Sequence, residues 1–334
     1  MNPSTSIVIT SIAGPDHPVL KDFAQKCRNL NIPFIVIGDK PSPSDFHIDG
    51  CSFYNLQQQR ELNFKIAQLL PERHYSRKNI GYLLAIKNNH AEIILETDDD
   101  NYARDGFWEN RNRISKAHNL EQTGWTNIYS YFTEKRIWPR GFALERLQDE
   151  LPSLDKYPIT DVNCPIQQGL ADENPDVDAI YRLILPLPLS FDINVNVALG
   201  KKSWCPFNSQ NTTWFKEAFP LLYLPSYCSF RMTDIWRSFI AHRIASENGW
   251  HLLFHPATVY QERNMHNLMR DFADEISGYT NNFKIVETLE NLNLKKGAEH
   301  MGANLLACYE SLISLSLIDK KEIPLVEAWI SDLK

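Results

Sequence analysis

The chain has 334 residues, of which 43% are hydrophobic and 22% are charged, and its formal net charge is −7. This length and composition fit one large or two medium globular domains and exclude an intrinsically disordered chain. The negative charge excludes a broad electrostatic surface for nucleic acid or anionic lipid. Any phosphate contact is therefore expected from a few basic residues.

Targeting and cysteine patterns predict a cytoplasmic protein without a transmembrane span. No apolar run approaches the ~20 residues that cross a membrane, and the N-terminus lacks the charged and apolar regions of a signal peptide. The six cysteines are dispersed without a CxxC pair, which favours reduced thiols over disulfides or a zinc site. Glycine-rich phosphate loops, HExxH and GxSxG are also missing, which excludes the nucleotide-binding, metalloprotease and acyl-transfer sites built on them.

Short strands and amphipathic helices alternate over the first hundred residues. Apolar runs predict buried strands at Ile7–Ile12, Phe34–Ile37 and Glu92–Glu96. Apolar residues at helical spacing predict helices at 19–30 and 62–69, and a third that begins near Arg77. This alternation predicts an α/β fold with a mostly parallel sheet that helices cover on both faces.

The composition changes twice in the rest of the chain. Residues 125–265 are rich in Pro, Trp and Tyr, with short strand-like pieces between turns, and the pattern is helical from residue 266 onward. We therefore predict one sheet domain over residues 1–265 and a C-terminal helical extension over residues 266–334 that packs on it.

Polar side chains stand where the three predicted strands end. Ligands of parallel sheets bind beyond the carboxyl ends of the strands, so these side chains are expected at one common edge. Thr10 and Ser11 close the first strand and are candidate donor contacts. Asp39 follows the second strand and could accept a hydrogen bond from the base or ribose of a nucleotide, although an isolated Asp is also a common turn former.

Three successive aspartates, Asp98–Asp100, directly follow the third strand. Their mutual repulsion destabilises the fold unless they are solvated or a cation neutralises them. Because alternate carboxylates can point the same way in a turn, Asp98 and Asp100 are candidates to hold Mg²⁺ or Mn²⁺ together with donor phosphates. Asp99 is a candidate donor contact. A solvated acidic turn is the alternative interpretation.

Basic and amide side chains supply further candidate contacts to the donor. Arg77, Lys78 and Asn79 open a helix, where cations and free N–H groups suit a diphosphate, and a solvated basic turn is the alternative. Asn208 and Gln210 carry amides that can bond the hydroxyls of a sugar. The same stretch could instead be a loop that caps a helix.

Asp234 and His266 are candidates at the starts of two predicted helices. Asp234 lies three residues from both Arg231 and Arg237, just before an apolar helix, and could act as a general base or as a ligand of the acceptor hydroxyl. A helix N-cap with surface ion pairs is the alternative. His266 lies at a loop–helix junction and is a candidate metal ligand, whereas a lone histidine is more often structural.

Several motifs together resemble the STELLO family over most of residues 5–275. Besides the aspartate run, they are Arg77–Tyr82, Trp138–Phe142, Pro165–Asp172, Pro175–Ala179, Cys205–Asn211, Phe230–Arg237 and Val259–Asn264. Plant members of this family are Golgi membrane proteins that are linked to cellulose synthase assembly and carry a glycosyltransferase-like domain. The resemblance implies that this chain is a soluble, bacterial relative of that domain alone.

The chain is also similar, more distantly, to the reversibly glycosylated polypeptides, which include UDP-arabinopyranose mutases. The matching stretches are Asp98–Asp100, Arg140–Phe142, Asn174–Ala179 and Arg231–Trp236. In that family the arginine that matches Arg140 becomes glycosylated. The resemblance therefore makes Arg140 a catalytic candidate beside Asp234, and makes Arg231 a candidate donor contact.

Both resemblances imply a GT-A-like, Rossmann-type nucleotide-binding sheet whose acidic motif holds Mn²⁺ or Mg²⁺. The expected function is a metal-dependent glycosyltransferase in surface polysaccharide synthesis, with a UDP-sugar as donor and a carbohydrate or lipid-linked acceptor. No nucleic acid partner is expected, and an oligomer is left open. Two alternatives remain: a nucleotide-sugar mutase or self-glycosylating protein that uses Arg140, and a catalytically silent scaffold.

Overall fold

The computed structural model describes residues 4–262 and 267–334 of the chain. Its strands are β1 (Thr5–Thr10), β2 (Phe34–Ile37), β3 (Ser52–Tyr54), β4 (Ile93–Thr97), β5 (Asn101–Ala103), β6 (Ile114–Leu120), β7 (Gly124–Trp125), β8 (Ile159–Asn163), β9 (Ile166–Asp172), β10 (Val197–Leu199), β11 (Ser203–Trp204), β12 (Asn211–Phe215) and β13 (Leu252–Gln261). Its α-helices are α1 (Pro18–Leu30), α2 (Leu56–Glu61), α3 (Lys65–Leu69), α4 (Lys78–Lys87), α5 (Ala179–Ile184), α6 (Thr233–Glu247), α7 (Leu268–Glu290), α8 (Met301–Ser314) and α9 (Glu322–Leu333).

One mixed sheet of eleven strands forms the centre of the described chain. Its order is β3-β2-β1-β4-β12-β9-β13-β10-β6-β8, and β5 pairs with β13 off this path. Strands β3, β2, β1 and β4 run parallel to one another, whereas β12 is antiparallel to both β4 and β9. The predicted α/β sheet with flanking helices and a helical C-terminal part is thus confirmed.

The sheet is less parallel than predicted. Parallel neighbours need a long crossover, which is usually a helix. Between β4 and α6 the described chain has a single α-helix, α5, of six residues. The chain therefore returns through short connections in this region, and antiparallel pairs alternate with parallel ones.

The predicted helix over residues 62–69 is shorter in the structure, because only α3 (Lys65–Leu69) falls within this range and α2 is a separate helix before it. A capping box at Asn55 and Gln58 starts α2 early, and Leu62 ends it with an extended backbone. Helix α3 begins at Lys65, where the backbone N–H groups of Lys65 and Ile66 donate to the Asp332 carboxylate of α9. This cap comes from the far end of the chain, so local periodicity could not predict it.

The C-terminal helices share one hydrophobic core with the sheet and α6. Buried side chains of α7, α8 and α9, such as Leu289, Leu305 and Trp329, belong to the same cluster as Trp236 of α6 and Trp214 of β12. The division at residues 265 and 266 stays a prediction. Among the described helices, none is both long and apolar enough to cross a membrane.

A buried ion pair joins the centre of the sheet to α6. The Glu96 carboxylate accepts hydrogen bonds from Arg237 at 2.8 and 3.0 Å, from the Trp214 indole at 2.8 Å and from the Tyr82 hydroxyl. Glu96 and Arg237 are both at most 1% exposed on their side chains. Because each charge is out of water, each depends on the other for its solvation.

We expect Glu96→Gln to lower the free energy of unfolding by about 3–5 kcal/mol, because it leaves the buried Arg237 charge uncompensated. Glu92→Gln is the matched control on the same strand edge, since its pair with Lys216 is exposed and should contribute little. Chemical denaturation of both variants measures the difference. Equal stability of the two would contradict this account of the core.

Candidate active site

A cleft lies at the sheet edge where β1, β2 and β4 end. It consists of two adjoining cavities of about 250 and 450 Å³ that share Thr10, Tyr75, Asp99 and Phe230. The larger cavity is within the range of roughly 300–1,000 Å³ that is typical of ligand pockets, and the smaller one lies just below it. The prediction that polar side chains meet at this edge is therefore confirmed for Thr10, Ser11, Asp39 and the aspartate run.

One cavity, called here the aromatic half, is lined by apolar and ring side chains. Phe230, which is 49% exposed, contacts the rings of Tyr75 and His74 edge-on, with centroids 5.0 and 5.2 Å apart. Asp39 fixes this wall, because its carboxylate accepts a hydrogen bond from the His74 backbone N–H at 2.9 Å. Burial lowers the pKa of His74 to about 4, so the ring is neutral at pH 7.

The other cavity, called here the acidic half, contains five carboxylates. They belong to Asp98, Asp99, Asp100, Asp176 and Asp234. The Ser11 hydroxyl donates to Asp99 at 2.5 Å, and the Gln261 amide donates to Asp100 at 2.9 Å. Gln210 also lines this half, as predicted for a donor contact.

Lys78 supplies a buried cation directly beneath the aspartate run. Its ammonium donates to the Thr97 carbonyl at 2.8 Å and pairs with Asp98 at 3.2 Å. Burial within the cleft raises the pKa of Asp98 to about 7, with Lys78 opposing the shift and Asp100 adding to it. The charge of Lys78 therefore acts on the acidic half through its ion pair with Asp98.

Arg140 clamps two of the carboxylates. Its Nε and Nη2 donate to the two oxygens of Asp176 at 2.8 Å, and its Nη1 and Nη2 donate to Asp234 at 3.0 and 2.9 Å. Nη1 also donates to the Arg231 carbonyl. All five N–H groups of the guanidinium are therefore used. The neighbouring carboxylates raise the pKa of Arg140 further above its usual range, despite its burial.

The carboxylate of Asp234 is saturated with hydrogen bonds. One oxygen accepts from Arg140 and the Tyr75 hydroxyl, and the other from Arg140 and the Ser209 backbone N–H at 3.2 Å. Burial alone would raise the pKa of Asp234, but Arg140 holds it well below its usual range. The ion pair, more than the start of α6, thus keeps this group ionised, and a carboxylate so held is a weak proton acceptor.

Gly141 allows the clamp to pack against α6. Its φ of +87° lies in the left-handed region, and a Cβ at this position would collide with the side chain of Ile235. Its carbonyl accepts a hydrogen bond from the Asn282 amide at 2.8 Å, which ties the turn to α7. The positive φ and the close approach of Ile235 both require a glycine at this position.

Two predicted donor contacts instead have structural roles. Asn79 is fully buried, and its amide both donates to and accepts from the backbone of Leu224. Asn208 is buried as well, and its side chain accepts from the Gln210 backbone N–H. The geometry therefore does not support these two assignments. The alternative of a helix cap at Asn211 is wrong, because Asn211 starts strand β12.

The two remaining predicted arginines are largely used within the fold. Arg231 lines the acidic half, and its guanidinium pairs with the buried Glu275 at 2.7 Å. Arg77 lines the aromatic half and donates to Gln59 at 2.7 Å, while its buried Nη2 has no hydrogen-bond partner among the described residues. A donor contact through Nη2 stays a prediction. His266 lies outside the described residues.

Sequence patterns missed several residues of the cleft. Asp176, Phe230 and Gln261 line it, and each lies within a stretch that carries the family resemblance. Tyr75 has no sequence signal of its own. Its hydroxyl donates to Asp234 and accepts from the Asp234 backbone N–H at 3.0 Å, a contact between residues 159 positions apart.

The acidic half fits a divalent cation only together with a phosphate. Asp98 and Asp100 offer the hard oxygen ligands that Mg²⁺ and Mn²⁺ prefer. Within residues 4–262 and 267–334, however, no three His, Cys, Asp or Glu side chains are grouped closely enough to hold a metal ion. Phosphate oxygens and water would have to complete the coordination shell, a common arrangement for Mg²⁺.

Sequence comparisons relate the chain to known proteins. A sequence model described as STELLO glycosyltransferases matches residues 231–334. The Arabidopsis thaliana proteins "Probable glycosyltransferase STELLO2" and "Probable glycosyltransferase STELLO1" are 27% identical over 328 residues and 29% identical over 249 residues. The matches cover 90% and 68% of this chain but 41% and 32% of those proteins, so the chain spans less than half of their length. The resemblance to STELLO proteins is confirmed, whereas the expected bacterial origin finds no support in these plant relatives.

Two solved structures are similar at low identity. A mycobacterial protein has a TM-score of 0.41 and 11% identity, covering 84% of this chain and 75% of its own. The glucosyl-3-phosphoglycerate synthase of M. tuberculosis has a TM-score of 0.39 and 10% identity, covering 83% and 81%. At these scores, function has to be argued from the residues of this chain.

We expect Gly141→Ala to lower the free energy of unfolding by more than the about 1–3 kcal/mol of backbone strain, because its methyl group also meets Ile235. Gly249→Ala isolates the strain, since Gly249 has a φ of +73° and no atom within 4 Å of the added Cβ. Denaturant unfolding of both variants gives the comparison. Equal losses would show that Ile235 does not constrain the turn.

Proposed function

We propose that this chain, a relative of the STELLO glycosyltransferases, transfers a sugar from a nucleoside diphosphate donor. The observation that carries the proposal is the junction of the aromatic and acidic halves in one cleft at the carboxyl ends of β1, β2 and β4. A nucleotide sugar has the same division into a flat base, a diphosphate and a hydroxylated ring.

The aromatic half suits the base of the donor. Phe230 and Tyr75 present ring surfaces, and ring–ring contacts of this kind add to the burial of apolar area. Asp39 supplies a polar group beside them. The diphosphate would then extend past Asp99, which borders both halves. We propose UDP as the nucleotide, with Thr10 and Ser11 near the ribose.

The charges of the acidic half support metal dependence. Among the residues that the structure describes, five carboxylates face two cations, Lys78 and Arg140, because Arg231 is neutralised by Glu275. A bare diphosphate would be repelled by this excess of negative charge. Mn²⁺ or Mg²⁺ between Asp98 and Asp100 would offset most of this excess, bind the diphosphate oxygens and stabilise the charge that develops on the leaving diphosphate. His266 stays a candidate further ligand.

Asp176 and Asp234 have different roles in this proposal. Asp234 is saturated and strongly ionised, so we propose that it positions Arg140 and the start of α6. Asp176 accepts one hydrogen bond from Arg140 on each oxygen, so each oxygen can accept another. It also lines the acidic half. We therefore propose Asp176, rather than Asp234, as the general base.

The bonding of Arg140 argues against the self-glycosylation alternative. A glycosylated arginine needs a nitrogen with a free lone pair, whereas all five N–H groups of Arg140 are bound and its charge faces two carboxylates. The scaffold alternative does not explain why five carboxylates, which repel one another, are clustered in the acidic half. Transfer to a carbohydrate or lipid-linked acceptor, as in surface polysaccharide synthesis, is the function that uses the whole cleft.

We expect Asp98→Asn to weaken Mn²⁺-dependent UDP binding by at least about 10–100-fold, the effect that even supporting residues of metal sites have. Asp100→Asn keeps the ion pair of Lys78 with Asp98 and should give the same loss. Asp161→Asn, an exposed carboxylate on β8, is the control and should bind normally. Titration calorimetry with and without Mn²⁺ measures all three. Unchanged metal dependence in the first two variants would place the site elsewhere.

We expect Asp176→Asn to lower turnover of a UDP-sugar by about 10²–10⁴-fold, the usual contribution of a general base. UDP affinity should hardly change, because neither phosphate nor base contacts Asp176 in this arrangement. Asp234→Asn, which alters the Arg140 clamp, should lower turnover less than Asp176→Asn does. A larger loss in Asp234→Asn would assign the role of base to Asp234.

A further inference from the structure

A second groove opens beside the acidic half, on the other side of Gln261. It has a volume of about 600 Å³ and is lined by Gln261, Tyr260, Glu173 and Asn174, among other residues. Gln261 borders both spaces, and its amide donates to Asp100 in the acidic half. A molecule in this groove would therefore reach the reacting end of the cleft across one side chain.

An aromatic wall forms one side of the groove. The rings of Tyr260 and Tyr102 stack across neighbouring strands β13 and β5, with centroids 5.1 Å apart and planes 9° apart. The Arg104 guanidinium lies 5.7 Å from the centroid of Tyr260 and pairs with Asp172 at 2.8 Å. These contacts fix the Tyr260 ring in place before any ligand binds.

The opposite wall is a rigid turn that separates the groove from the cleft. Glu173, at a φ of +67°, exchanges two backbone hydrogen bonds with Leu189 at 2.8 and 3.1 Å. The Asn174 amide donates to the Gln261 carbonyl at 3.0 Å. Glu173 and Asn174 face the groove, and Asp176, two residues further, lines the acidic half. The turn thus brings the proposed base next to the end of the groove.

The charge of the groove selects against anionic molecules. Glu173 and Glu262 both line it, whereas Arg104, the one cation among the described residues of its wall, is paired with Asp172. A phosphate or carboxylate would meet uncompensated negative charge. Amides and carboxylates beside a tyrosine ring instead offer acceptors and donors for hydroxyls and a surface for C–H groups.

We propose that this groove binds an uncharged carbohydrate as the acceptor of the transfer, an inference that rests on the proposed function. An acceptor hydroxyl oxygen would form a bond to the anomeric carbon of the donor while the bond from that carbon to the phosphate oxygen breaks. The hydroxyl proton passes to Asp176, and the bonding electrons leave with the nucleoside diphosphate. Lipid-linked acceptors that carry a phosphate next to the reacting sugar are disfavoured by the same charge argument.

Sugar binding can be measured without any transfer reaction. Saturation-transfer NMR of the full chain, with maltose, lactose and cellobiose as uncharged probes, should detect binding of at least one of them. Tyr260→Ala should weaken that binding by about tenfold, whereas Tyr260→Phe, which keeps the ring, should bind within about twofold of the original chain. Thermal unfolding of each variant controls for the fold.

A variant with altered charge tests whether the groove selects uncharged sugars over anions. Glucose 1-phosphate should not bind the original chain, and Glu173→Lys should allow it to bind while the uncharged probes still bind. Binding of the anion to the original chain, absence of binding by all three sugars, or indifference of sugar binding to Tyr260→Ala would each overturn the inference. UDP titrations with Mn²⁺ on the same samples report separately on the donor cleft, so failure of the groove and failure of the proposed function are distinguishable.

Discussion

The organisation of the cleft depends on the guanidinium of Arg140. It joins three segments that are far apart in the chain: the turn at Gly141, the turn that carries Asp176, and the start of α6 with Asp234. All three side-chain charges are buried, so each is stable only while the others stay in place. The clamp therefore sets the distance between two carboxylates that would otherwise repel each other.

This clamp leaves negative charge in excess, and the excess accounts for what the cleft can bind. Lys78 and Arg140 are engaged with carboxylates of the fold, so neither offers an unused charge to a phosphate. In the proposed function, a divalent cation accompanies the diphosphate on this surface. Glu173 and Glu262 line the neighbouring groove beyond Gln261, so the described walls of both spaces carry carboxylates. In our proposal, this shared negative charge admits the donor only together with a cation and favours an uncharged acceptor.

Local patterns predicted β2 and β4 well, because these strands are short apolar runs buried on both faces, whereas β1 lies two residues earlier than predicted and the partly exposed β3 was not predicted. Strand β2 has the predicted bounds, and β4 ends directly before Asp98 as expected. The helix predicted over residues 62–69 is shorter than predicted because Asp332 caps α3 from the other end of the chain. Asn79 failed for a similar reason: Leu224, 145 residues away, takes up its amide.

The sequence by itself determined which chemical groups stand at the ends of β1, β2 and β4, because strand period and turn residues act over a few positions. It also identified the family resemblance through stretches that include Asp176, Phe230 and Gln261. Only the tertiary structure decided which of these groups are free to act. Arg140 and Asp234 are 94 residues apart and Tyr75 and Asp234 are 159 apart. Hydrogen bonds over such separations form only when the packed core brings distant segments together. They saturate the carboxylate of Asp234, the predicted base, whereas each oxygen of Asp176 accepts one hydrogen bond from Arg140.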